Sequence, residues 1–379
     1  MFDSQCTFRV QIPALACTFP ALLNAILAIS ARQMERKEGI QDSFDSLELY
    51  QEAIRLLGPL LQMRDSKVVA ACVLLCCLEM MSARAQDWRK HLEGCTALFE
   101  AYEIHGFSGG ILQAVFWCYV RMGEQYIMDV LYWNLYLTII DVCGALISDG
   151  TESTLLRPSK WLAPNCTEED APRLFQAVQS PDMHANYAVY LCARACELVS
   201  DRTQFIELGV QNDCTGEAFH RRWLSLWEDL QQWVEHRPSE LLPVHTTPTK
   251  PFPHILFLHW AAISSNQLYH TACILLLNTR PKGMKLPPAP TISPLWHARR
   301  ICGISLANPH QGCLNNAIQP LWIAGRLFSH VSEHTIIIDI IRRIEAETGW
   351  GACWRIRDLE LAWGYQVPRR RKTIPRQDV

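Results

Sequence analysis

The residues best suited to chemistry in this chain are cysteines at helical spacing. Cys72 and Cys76, Cys192 and Cys196, and His91 and Cys95 each stand four apart, which on a helix puts both side chains on one face at metal-ligand spacing. Each pair supplies only two of the ligands a structural zinc needs, and free cysteine is among the most buried residue types, so packing is the expected use of all three. The carboxylate run Glu168, Glu169 and Asp170 is of the kind that holds magnesium in a helical prenyl-transfer enzyme. Lying between Pro164 and Pro172, it reads instead as a helix start, where negative charge complements unpaired N–H groups. The sequence holds no GxxxxGK[ST] phosphate loop, GxSxG nucleophile elbow or HExxH zinc helix, so the familiar hydrolase routes have no residue to perform them.

These residues sit in a chain of 379 amino acids, 49% apolar and 19% charged, which is enough to bury an extensive core. The formal net charge of −3 lacks the basic excess that accompanies phosphate-backbone binding. The start, Met1 to Pro20, does not resemble a signal peptide, and the longest apolar runs, Val68 to Leu78 and Ile127 to Ile140, fall short of the ~20 residues that cross a bilayer. No membrane association is expected. The sixteen cysteines are scattered from Cys6 to Cys353, which points to reduced, buried thiols and not to a disulfide framework. The glycosylation pattern Asn165-Cys166-Thr167 is accordingly discounted.

Helical periodicity runs through most of the chain. Leu22, Ile26, Ile29 and Gln33 recur within Ala21 to Arg36, and Leu47, Tyr50, Ile54 and Leu57 follow a cap at Ser43 and stop at Gly58-Pro59. Asp65 caps a third helix, apolar almost all round from Val68 to Met81 and so placed amid the packing. A fourth is read over Gln86 to Glu103, and a fifth follows Gly109-Gly110 through Trp117 and Tyr119. After a polar, proline-bearing connection over Leu155 to Pro172, helices are read over His184 to Val199, Gly216 to His236, Phe252 to Asn278, Ser293 to Ala307, Ile318 to Val331, Glu333 to Glu347 and Ala352 to Trp363. Nine prolines within Arg237 to Pro253 and Arg280 to Pro290 make those segments loops. With no period-two alternation and no repeat, the expected fold is all-α, a domain of stacked antiparallel helices over 1–367 with a basic tail, 368–379.

Particular residues then resemble a family. The run Pro20 to Arg32 looks like the opening helix of the fungal-specific transcription factor domain. Trp88-Arg-Lys-His91-Leu-Glu-Gly94 is similar to its "W, then HxxG" helix, and Phe116-Trp117-Cys-Tyr-Val-Arg121 to its "FWxYxR" segment. Ile301-Cys302-Gly303, then Gln319-Pro320-Leu321-Trp-Ile-Ala-Gly325-Arg326, then Glu347-Thr348-Gly349-Trp350 match its later motifs in order, covering about Phe19 to Trp363. The resemblance implies an all-helical regulatory region acting in RNA polymerase II transcription in the nucleus. It implies contacts with the transcriptional machinery or related factors, a small-molecule effector or a second copy of the chain. No residue of the motifs is catalytic.

In the family such a region usually follows a binuclear zinc cluster whose six thiolates hold two zinc ions and place a helix in the major groove. No six cysteines at that spacing occur in this sequence, so no cofactor and no direct DNA reading are assigned to it. Either the cluster has been omitted upstream or the protein is a cluster-less relative that modulates intact factors. The family pattern is also interrupted: joining Arg121-Met122 to Asp141 would restore it, leaving Gly123 to Ile140 as an insert of eighteen residues, a whole number of codons. Gly123-Glu124 can be encoded with the donor sequence GTGAG and Leu137-Thr138 with the branch-like CTGAC, which reads as a translated intron.

Two features remain. Thirteen tryptophans suit base stacking or a ligand cavity, but Trp223 and Trp227 share a helical face with Leu230 and, with Trp233, are read as core; Trp350 closes a helix end. The tail residues Arg369, Arg370, Arg371 and Lys372 have the form of a nuclear-import signal or of a solvated tail, and the family resemblance favours import. The rival reading for the whole chain is a helical secondary-metabolism enzyme, which would need convergent carboxylates on facing helices.

Overall fold

The structure, a computed structural model, describes residues 5–40, 44–82, 85–121 and 156–365, the side chains of 82 and 85–91 excepted. The insert at 123–140 and the basic tail therefore lie outside the described residues.

Proline at the first turn, where its missing N–H is no loss, opens many of the helices. After α1 (Ile12–Ala16), α2 (Pro20–Glu38) begins on Pro20 and ends at Gly39 with φ of 71°, then packs against α3 (Phe44–Leu57) and α4 (Ser66–Ser82). Asp65 caps α4 as expected, its carboxylate accepting from the Lys67 N–H at 2.8 Å. Buried residues from Val68 to Met81 put α4 amid the packing, against α5 (Ala85–Ala101) and α6 (Gly110–Arg121).

Past the connection come α7 (Ala171–Ala177), α8 (Pro181–Leu208) and α9 (Gly216–Glu235). Next are α10 (Trp260–Asn278), α11 (Pro294–Ala307) and a short α12 (Gln311–Leu314). The chain ends in α13 (Ile318–Gly325), α14 (Val331–Thr348) and α15 (Trp354–Ala362). Every residue of α10 from Ala261 to Leu276 is buried, and the helix is the axle between α8 and α11.

The expected elements depart from the observed ones where tertiary contacts override a local pattern. The helix read over Phe252 to Asn278 starts only at Trp260, because His254–Leu256 forms β2, paired antiparallel with β1 (His245–Thr247) in the register Thr246 to Ile255. Asn308 after α11 holds this hairpin: its Oδ1 accepts from Phe257 N–H and its Nδ2 donates to Ile255 O, both at 2.8 Å. The helix read to Val331 stops at Gly325, and the chain turns so that Phe328 meets Phe252 edge-on, centroids 5.2 Å apart. His330 Nδ1 then caps α14 by accepting from Ser332 N–H at 3.2 Å. Helices α1 and α12 lie in stretches where no helix was expected, whereas α7 follows the helix start read at Glu168 to Asp170.

Candidate functional site

The family-type residues were built into joints between helices. Trp117, buried on α6, donates from Nε1 to Gly106 O at 2.8 Å and meets Trp161 edge-on at 6.0 Å. Arg121, at the end of the same helix, donates to Asn186 Oδ1 on α8 at 2.8 Å, linking the two halves. Neither Asn186 nor Trp161 carries any sequence pattern that would have announced it.

The C-terminal motifs form one assembly. Pro320 is buried in the first turn of α13, where the absent N–H would have no partner within the helix. Gln319 Oε1 accepts from Arg355 Nη2 at 2.6 Å, and the Arg355 guanidinium, only 3% exposed, lies 4.6 Å from the Trp322 ring and 4.1 Å from the Trp354 ring. Arg326 stacks its guanidinium over Trp322 at 4.8 Å. At Gly325 a Cβ would come within 2.7 Å of Leu359 Cδ2, so the missing side chain lets α15 approach α13. Trp363 Nε1 donates to Gly325 O at 2.9 Å.

Gly349 ends α14 with φ of 71°, and a Cβ there would lie 3.1 Å from Gln33 O. Gln33 Nε2 donates to Thr348 O at 3.0 Å and Arg36 Nε to Gly349 O at 2.5 Å, so the opening motif on α2 is fastened to the last one. Trp350, half-buried beside this joint, packs on the core. Gly94 stands apart: it is exposed on α5, and a Cβ there meets nothing within 4 Å among the described residues. The side chains of Trp88 and His91 fall outside the described residues.

The thiols pair across helices and not along them. Cys76 Sγ on α4 stands 3.3 Å from Cys95 Sγ on α5, while Cys72 is half-buried with its thiol pushed up to about 12 by burial and then by Cys95. The Cys76 thiol is pushed well up by its hydrogen bond to Cys95 and by burial. Cys192 and Cys196 are wholly buried on α8. Among the described residues no three of His, Cys, Asp and Glu gather as metal ligands.

Glu168 to Asp170 begin a helical segment. Asp170 accepts from the Thr167 backbone N–H at 2.8 Å and Thr167 Oγ1 at 2.9 Å, which holds its carboxyl below the ordinary range, and Glu168 pairs with Arg194 at 2.6 Å. Burial raises the carboxyls of Glu197 and Asp229, but each lies beside an arginine, Arg222 at 3.6 Å and Arg194 at 3.5 Å respectively. Trp223 and Trp227 stack at 5.6 Å in the core, as expected.

On the outside, α2 and α3 leave an open groove of about 640 Å³ lined by Leu27, Met34 and Leu49 together with Asp45, Glu48 and Glu52, the last paired with Arg55 at 2.6 Å. Met34 is 61% exposed and nearby Phe44 75%. No described helix is long and apolar enough to cross a membrane.

The model of the fungal specific transcription factor domain matches residues 1–363, and the chain belongs to that family. Among curated proteins it is similar to the "Transcription activator AMTR1" of Alternaria alternata, 24% identical over 360 residues, covering 80% of this chain and 44% of that protein. The chain thus spans less than half the length of that relative. No solved structure matches. Membership supports a role in transcription regulation.

Proposed function

We infer that this chain is the regulatory part of a zinc-cluster-type transcription factor acting on RNA polymerase II transcription in the nucleus, with DNA read by a separate segment or partner. The observation that supports this reading is the use of its family residues. Trp117, Arg121, Gln319, Gly325 and Gly349 close joints between helices, and none of these five is an acid, base or nucleophile aimed at a reaction. As a scaffold of this kind it turns over no substrate and works through contacts with the transcriptional machinery or related factors. The groove between α2 and α3 suits a partner with apolar side chains flanked by lysine or arginine, because exposed Asp45 and Glu48 stand among its lining residues. Arg369 to Lys372 serve as the import signal.

Fusing the full chain to a heterologous DNA-binding domain in a fungal cell tests this. Reporter output should differ from that of the DNA-binding domain alone, and Asp45→Lys with Glu48→Lys should return it toward that level without changing the melting midpoint. A folded, nuclear fusion whose output equals the DNA-binding domain alone overturns the reading. Deleting Arg369 to Lys372 from a tagged chain should move it to the cytoplasm, and unchanged nuclear accumulation removes their import role.

A further inference from the structure

Helix α4 carries Cys72, Cys76 and Cys77 within two turns and presents them to two neighbouring helices. Cys76 Sγ lies 3.3 Å from Cys95 Sγ on α5, the two residues being only 2% and 4% exposed, while Cys77 is hydrogen-bonded to Cys118 on α6. Cys72, one turn before Cys76 on the same face, is half-buried. The Cys76–Cys95 pair therefore sits about 5.4 Å along α4 from a residue that water reaches.

Three kinds of bridge can join two thiols, and the spacing separates them. A disulfide holds its sulfurs about 2.05 Å apart, so closing one here would draw them together by about 1.2 Å through packed side chains. Zinc binds sulfur at about 2.3 Å, and its tetrahedral angle sets two such ligands about 3.8 Å apart. It also takes four ligands, and among the described residues no three of His, Cys, Asp and Glu gather. Bonds of about 2.3 Å meeting at the near-right angle of a trivalent pyramidal centre hold two sulfurs about 3.3 Å apart, which is the observed spacing.

The charge balance favours the same centre. The hydrogen bond to Cys95 and burial push the Cys76 thiol well up, with the charge of Glu79 adding to them, so reagents and ions that need a thiolate are disfavoured there. A neutral metalloid hydroxide avoids that cost, because each thiol proton leaves with a hydroxide as water and no charge is buried. We propose that Cys76 and Cys95 chelate trivalent arsenic, taken up as its neutral hydroxide, arsenous acid. Two S–H and two As–OH bonds break, two As–S bonds and two waters form, and arsenic keeps its third hydroxyl and its oxidation state. The bridge ties α4 to α5. That it alters transcription rests on the regulatory reading above; that it forms does not.

The test incubates the folded full chain with sodium arsenite in buffer containing mercaptoethanol, which strips adducts held by a single thiol. Arsenic bound per chain is then counted by mass spectrometry after desalting. Cys76→Ala and Cys95→Ala should each hold one arsenic fewer than the parent, whereas Cys77→Ala and Cys192→Ala hold as many. Cys95→Ser gives the same readout should the alanine variant misfold, and dimercaptopropanol, a competing dithiol, should remove the arsenic from the parent. Equal counts in the parent and both variants, a loss in only one of them, an equal loss in Cys77→Ala, or uptake only after denaturant would each overturn the proposal. So would zinc, added in place of arsenite, that is held by the parent and not by Cys76→Ala. Arsenic bound by a fusion whose reporter equals the DNA-binding domain alone sinks the regulatory reading and leaves the site standing.

Discussion

Gly303 and Gly94 both belong to family motifs and both lie within helices, yet substitution by alanine should push stability in opposite directions. On α11 a Cβ at Gly303 would stand 2.0 Å from Pro253 O and 3.1 Å from Pro253 C. Backbone must therefore move by about 1 Å to reach an ordinary contact. That carbonyl precedes β2, whose Ile255 O and following Phe257 N–H are held by Asn308, so the displacement strains a fixed hairpin and not a free loop. Overpacking of this severity costs about 3 kcal/mol, against about 1 kcal/mol gained from replacing glycine in a helix, for a net loss of about 2 kcal/mol. At Gly94 no clash arises among the described residues, which leaves the gain of about 1 kcal/mol. Urea unfolding followed by circular dichroism, with m unchanged across the set, should place the two variants about 3 kcal/mol apart, on either side of the parent. A Gly303→Ala chain as stable as the parent would refute the close approach of Pro253 to α11.

Stability should also rise from pH 4 to 6.5 through His297. Burial keeps the folded imidazole neutral down to about 4, while the unfolded ring titrates near 6.5, so in this window the unfolded chain binds the extra proton and gains as pH falls. The full shift corresponds to about 3 kcal/mol. His297→Gln should flatten the slope in calorimetric melts, and an unchanged slope would assign the dependence to other groups. Among the thiols, exposed Cys6 and Cys17 should be alkylated by iodoacetamide in the folded chain while Cys76, Cys192 and Cys196 stay protected. Peptide mapping that finds Cys192 or Cys196 modified before unfolding would contradict the burial of α8.

The sequence made the helices legible because their period is local: the apolar faces of Pro20–Glu38, Phe44–Leu57 and Gly216–Glu235 recur every turn and need no knowledge of a partner. It misread Phe252 to Asn278 for the same reason, since a short apolar run fits a buried strand as well as a helix. The side chain that decides the matter, Asn308, lies more than fifty residues away. Cys76 was read with Cys72 on its own helix, whereas its contact is Cys95 on the next one. Arg355 gave no sign at all, though it is the centre about which Gln319, Trp322 and Trp354 assemble.

The two ends of the family match are joined by long-range wiring. Arg36 and Gly349 are 313 positions apart and share a hydrogen bond, and Gln33 reaches Thr348 beside it. An αL glycine is needed at 349 because the turn must bring its carbonyl to α2, and α2 in turn packs on α3 and α4. Arg121 and Asn186 tie α6 to α8, and α8 lies on α10. The first and last motifs therefore stabilise one another through the same core, and a fragment lacking either would expose the face that the other covers.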